Sequence, residues 1–161
     1  MGAFEEVAER LREAEALAVA LGDQRRLGRV LAHRSQLHMV LGEFDSAVEL
    51  GERASSIGQL LDDVGIQVTG RFYAAVTIGL QGDYRRAIAW LRETLGLLQG
   101  RYRLERFGSA SPLRILVCCN LAWTLGELGE SGEAIACNDE AYGLAVEAHD
   151  VYGQVWSDGL G

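Results

Sequence analysis

The segment Leu41-Gly42-Glu43-Phe44-Asp45-Ser46-Ala47 decides the reading of this chain, because it returns twice. It recurs as Gln81-Gly82-Asp83-Tyr84-Arg85-Arg86-Ala87 and again as Leu128-Gly129-Glu130-Ser131-Gly132-Glu133-Ala134. A worn copy, Gly2-Ala3-Phe4 followed by Val7, opens the chain, so Val7, Ala47, Ala87 and Ala134 stand 40, 40 and 47 residues apart. Self-similarity at a fixed spacing is the mark of a repeat architecture. The rest of each unit follows in phase. Ala14, Ala54, Thr94 and Ala141 share one column, and Leu17, Ile57, Leu97 and Leu144 share the column three residues later. Three units close on an aspartate: Asp23, Asp63 and Asp150.

Each column has a physical reason. Small residues inside a helix let a neighbouring helix approach closely, and the bulky column fills the space beside them. Gly22, Gly42, Gly82 and Gly129 stand where helices should end, since glycine takes the left-handed conformation of a helix terminus without a Cβ penalty. The closing aspartates are placed to cap the next helix. Gly51, Gly58, Gly70, Gly79 and Gly96 fall inside expected helices, where close packing is the available account. The resulting map has eight helices near 4–21, 24–41, 44–61, 64–80, 84–101, 113–128, 131–148 and 151–160, joined by turns short enough to make neighbours antiparallel. The expected fold is all-α: a superhelical solenoid of antiparallel helical hairpins. It forms one domain with units near 1–23, 24–63, 64–112 and 113–150 and a partial unit over 151–161.

Composition agrees. The 161 residues are 48% hydrophobic and 24% charged, with a single proline, the balance of a folded helical domain. No apolar run reaches membrane-spanning length and no leader pattern opens the chain, which points to the cytoplasm and to no membrane partner. A net charge of −8 opposes nucleic-acid binding. Cys118, Cys119 and Cys137 are odd in number and show no metal-ligand spacing, so neither a disulfide framework nor a metal is expected.

The pattern Leu-Gly-acid-aromatic-x-x-Ala, with a small residue seven positions on, is similar to the tetratricopeptide repeat. A period near 40 rather than 34 resembles the long-repeat domains that follow the ATPase module in bacterial class III adenylate cyclases and ATP-dependent transcription regulators. Leu21-Gly22-Asp23-Gln24-Arg25-Arg26-Leu27-Gly28-Arg29 and Glu105-Arg106-Phe107-Gly108 carry the cyclase-linked likeness. The resemblance implies a piece of a longer signalling protein, with any ATP chemistry elsewhere, since no phosphate-binding loop motif occurs here. Ser131 departs from the aromatic column. Arg101 and Arg103 replace the closing residues of the third unit, and seven extra residues lie within 100–113.

No catalytic constellation stands out. His33 and His38 are five apart and diverge on a helix, His149 sits at a turn, and the acidic neighbours Asp62 with Asp63 and Glu5 with Glu6 read as surface charge. The chain is therefore expected to be non-catalytic and to need no cofactor. In tetratricopeptide arrays the first helix of each hairpin lines a concave groove. Its columns here read Arg29, Thr69, Leu116, then His33, Tyr73, Asn120, then Gln36, Val76, Trp123, with Phe72 and Glu127 at the border. Arg29, His33, Gln36, Thr69, Phe72, Tyr73, Asn120 and Trp123 are accordingly the candidate partner-binding residues, with packing between repeats as the rival role for Tyr73 and Trp123. Arg101, Arg103, Arg106 and Arg114 form a secondary candidate, a basic loop for an acidic group, unless they neutralise nearby glutamates.

The leading expectation is a regulatory or scaffold module that recognises a protein or peptide segment, in the parent chain or in a partner. The alternative is a small-ligand sensor whose solenoid changes curvature. Terminal helices without an outer neighbour (Phe4, Val7 and Leu11; Val151, Val155 and Leu160) suggest a homo-oligomer.

Overall fold

The structure, a computed structural model, describes residues 2–159. It is all-helical, and no strand occurs among the described residues. The helices are α1 (Ala3–Ala20), α2 (Gln24–Val40), α3 (Phe44–Leu60), α4 (Val64–Leu80), α5 (Tyr84–Leu97), α6 (Leu113–Glu127), α7 (Ser131–Glu147) and α8 (Val151–Asp158). A 3₁₀ turn, Gly100–Tyr102, follows α5.

One turn chemistry explains the spacing. Gly22 and Gly42 take φ of 64° and 77° just past a helix end. The next residue then returns its N–H to the last turn: Asp23 to the Ala18 carbonyl at 2.9 Å and Glu43 to the His38 carbonyl at 2.9 Å. This six-to-one bond closes a helix with a left-handed residue. The same bond runs from Asp63 to Gly58, Asp83 to Ile78, Glu130 to Leu125 and Asp150 to Ala145. At two of these turns a residue with a Cβ holds the left-handed position: Asp62 and His149, both at φ 51°. The residue that donates the closing bond then begins the next helix. The carboxylates of Asp23, Asp63, Asp83 and Asp150 accept from the backbone N–H of Arg26, Ile66, Arg86 and Gly153. Termination and capping thus share three residues, and successive helices must turn back on one another.

The chain divides into two compact units, Met1–Thr77 and Ile78–Gly161, the division falling within α4. In the first unit, Ala18 of α1, Leu27, Leu31 and Ala32 of α2, and Leu50 and Ala54 of α3 form a buried cluster with Ile57 against it. Buried Ser35 donates to the Ala47 carbonyl at 2.7 Å, tying α2 to α3. The helical glycines here are required by backbone contact between α3 and α4. A Cβ on Gly51 would lie 2.7 Å from the Gly70 carbonyl oxygen, one on Gly70 would lie 2.7 Å from the Gly51 oxygen, and one on Gly58 would lie 2.3 Å from the Gln67 nitrogen.

In the second unit, Ile115, Cys118 and Cys119 of α6 meet Ala141, Leu144 and Ala145 of α7, with Leu95 of α5 against them. Helix α5 stops at Leu97 rather than near 101 as the sequence suggested. The Arg114 guanidinium donates to the Leu95 and Leu98 carbonyls at 3.1 and 3.0 Å, supplying partners for the open end of α5. Gly79 and Gly96, the other helical glycines of the pattern, have no such constraint. A Cβ on Gly79 would make ordinary contacts at 3.6 Å and one on Gly96 would meet nothing within 4 Å.

Candidate partner-binding face

The candidate residues separate by helix. On α2, Arg29, His33 and Gln36 are all exposed. They stand at i, i+4 and i+7, which puts them in one stripe. The opposite side of the helix carries the buried Leu27 and Leu31, so the packing that fixes α2 also fixes which way the stripe looks. Arg29 makes no hydrogen bond or ion pair among the described residues, in contrast to its neighbours. Arg25 pairs with Asp63, Arg26 with Asp23 at 3.2 Å, and Arg34 with Glu15.

Helix α4 does not continue that face. Thr69, Phe72 and Tyr73 are buried, at 6%, 5% and 7% exposure, and this corrects the expectation that they meet a partner. Thr69 donates its hydroxyl to the Gly65 carbonyl at 2.7 Å, and the Phe72 and Tyr73 rings pack tilted with centroids 5.3 Å apart. The physical reason is composition. Helix α4 carries a single charged residue, Arg71, in seventeen, and most of its circumference is covered. The column is in phase with α2 in sequence, but its residues serve the interior.

On α6, within the second unit, Asn120 and Trp123 are half-buried. The Asn120 amide donates to the Leu116 carbonyl of its own helix at 2.8 Å. Trp123 packs edge-on against Tyr84, with centroids 6.2 Å apart and planes at 88°, and lies beside Gly79. Packing is thus one of its roles.

The basic loop is occupied internally. Arg103 donates to both carboxylate oxygens of Glu147 at 2.7 Å. Arg106 reaches Asp150 at 3.2 Å and the Ala110 carbonyl, and Arg114 holds Glu140. Arg101 stacks on Tyr102, with its guanidinium carbon 4.6 Å from the ring centroid. Arg103 and Arg114 thus neutralise the chain's own glutamates and Arg106 an aspartate, whereas Arg101 meets the Tyr102 ring. Arg103 and Arg106 hold the insertion against α7 and the start of α8. The earlier equivalent is Arg25 with Asp63: in both places a capping aspartate also receives an arginine from an earlier segment.

The three thiols are free. Burial pushes Cys119 up to about 11, raises Cys118 further, and raises Cys137 as well. Such thiols remain protonated and unreactive near neutrality. Among the described residues no group of three His, Cys, Asp or Glu side chains is placed to hold a metal ion. No helix among them is long and apolar enough to cross a membrane.

Sequence reasoning missed one aromatic pair. Tyr152 and Trp156 of α8 lie 6.3 Å apart, 49% and 44% exposed, next to exposed Val151 and Val155. Trp156 follows Leu116 by 40 residues and so falls in the Arg29 column, a signal the repeat spacing already contained. At the other end Phe4 and Val7 are exposed and Leu11 half-buried, whereas Leu160 lies outside the described residues. Compared with known proteins, the chain matches no family model, and no curated protein matches it.

Proposed function

We propose that this chain is a non-catalytic binding module, a tetratricopeptide-like array of a bacterial multidomain signalling protein that recognises a protein or peptide segment. The observation that carries the reading is the α2 stripe. Arg29, His33 and Gln36 are exposed and aligned, and their helix is held in place by buried residues on its other side. A rigid helix presenting polar donors is a recognition surface of low ordering cost. Trp123 on α6 is a second, separate contact for a partner, with its ring partly open.

The small-ligand reading has less behind it. A hollow on α3 is lined by Glu49, Glu52, Arg53, Ser56 and Ile57, but it is open and mostly charged, unlike the enclosed apolar pockets that hold small molecules. The exposed apolar residues of α1 and α8 support self-association as an additional property.

The test is capture of a partner from the source cell followed by titration calorimetry. Arg29→Ala and Gln36→Ala should weaken binding about tenfold, or roughly 1.4 kcal/mol, with helicity unchanged by circular dichroism. Glu49→Ala should leave affinity intact. Loss confined to the Glu49 variant would move the site to α3 and reject the α2 face.

A further inference from the structure

We infer that the segment recognised on α2 is acidic and extended, and that its carboxylates are held by Arg29 with His33 and Gln36 beside it. This rests on the binding-module reading and adds the chemistry of the partner.

The charge distribution comes first. The chain holds 23 acidic and 15 basic residues, for a net charge of −8, yet α2 has four arginines, two histidines and no acidic residue. Its flanking helices are acidic: α1 carries five glutamates against two arginines, and α3 carries Asp45, Glu49 and Glu52 against Arg53. On α2 itself, Arg25, Arg26 and Arg34 have each found a carboxylate. Arg29 has not. It sits in the middle of the basic helix, exposed, with its planar fork of donors unengaged. That fork matches a carboxylate with two parallel hydrogen bonds.

Spacing comes second. A rise of about 1.5 Å per residue puts His33 roughly 6 Å and Gln36 roughly 10 Å along the axis from Arg29. An extended chain projects alternate side chains to one side every ~6.6–7 Å. Two carboxylates at alternate positions would therefore reach Arg29 and the His33–Gln36 pair together. The side-chain amide of Gln36 and one ring nitrogen of His33 are donors even without added charge. A nucleic-acid backbone is a poorer fit, because a single unengaged arginine on α2 cannot offset the repulsion between a chain of net charge −8 and a phosphodiester strand charged at every nucleotide.

The experiment uses the full chain with two labelled ten-residue probes, alternating Glu-Ser and its Gln-Ser counterpart, at low salt. Amide chemical-shift changes and fluorescence anisotropy are the readouts. The Glu-Ser probe should bind about fivefold or more tightly than Gln-Ser, shifting resonances on the exposed side of α2, and should weaken with added salt. Arg29→Ala should remove most of that preference and Arg29→Lys restore part of it. Arg53→Ala, an equally exposed arginine on α3, should leave it intact. Equal binding of the two probes, equal loss from the Arg53 change, or tighter binding of a labelled oligonucleotide would each overturn the inference. If the Gln-Ser probe binds as well and is lost with Arg29→Ala, the acidic partner is rejected while the α2 face as a binding surface survives.

Discussion

The two units read the same columns with different side chains. Helices α2, α3 and most of α4 belong to the first unit, α5 and α6 to the second. Where the first unit has Gly51 and Gly58, the second has Leu91 and Leu98, 40 residues on and buried at 1% and 0%. Where the first has Gly28 and Gly70, the second has Ile115 and Val117, both at 0%. The glycine solution brings backbones together until the space for a Cβ is gone, whereas in the second unit buried side chains occupy the same columns. A repeat column therefore specifies a filled volume, not a residue. The two units should answer the same substitution with opposite signs.

That contrast gives the largest predicted effect. Gly58→Ala places a Cβ 2.3 Å from the Gln67 nitrogen and 2.7 Å from its Cα, and backbone can yield only by moving the helix. A stability loss of about 2 kcal/mol or more is expected in urea unfolding, exceeding any gain in helix propensity. Gly143→Ala on α7 meets nothing within 4 Å, so propensity alone acts and stability should rise by about 1 kcal/mol. A loss at both positions, or at neither, would break the comparison.

The capping aspartates sharpen it at intermediate size. Asp63 and Asp150 fall in one column, and each caps a helix while receiving an arginine. Asp83 caps α5 but pairs with no arginine side chain among the described residues. Asp63→Ala and Asp150→Ala should each cost about 2 kcal/mol, the cap contributing about 1 and the ion pair at most about 1 more, while Asp83→Ala should cost about 1. Raising salt to 0.5 M should narrow the gap, since only the ion-pair share is screened. Equal losses at all three positions would show that the arginines add nothing.

These residues also show what was legible in the sequence. Helix number and nearly every boundary followed from turns whose chemistry is local: a left-handed residue, a six-to-one bond and an aspartate cap lie within a few positions. The reason for Gly51 and Gly70 was not legible, because it lies in a backbone 2.7 Å away that belongs to another helix. The candidate face was half legible. Periodicity put Arg29 and Tyr73 in neighbouring columns of one pattern, but it gives direction around a helix and not coverage. Helix α2 is open on that side, whereas Tyr73 on α4 is 7% exposed. The role of Arg103 and Arg106 was left between two alternatives because their carboxylate partners stand 44 residues away.

The smallest effect comes from the two turns that depart from glycine, one in each unit. Asp62 and His149 hold φ of 51° where Gly22, Gly42, Gly82 and Gly129 stand at the other turns. A left-handed residue with a Cβ is strained by roughly 1 kcal/mol, less for Asp or His than for a branched residue, and glycine removes that strain while adding freedom to the unfolded chain. Both residues are exposed, and neither side chain makes a hydrogen bond among the described residues, so little else is lost. Asp62→Gly and His149→Gly should each stabilise by about 0.5 kcal/mol. The two together should add, because they lie in different units and share no contact partner. A melting-temperature rise of roughly 1–2 °C per change is the expected reading. A fall at either turn would mean that Asp62 or His149 holds a contact that the four glycine turns do without.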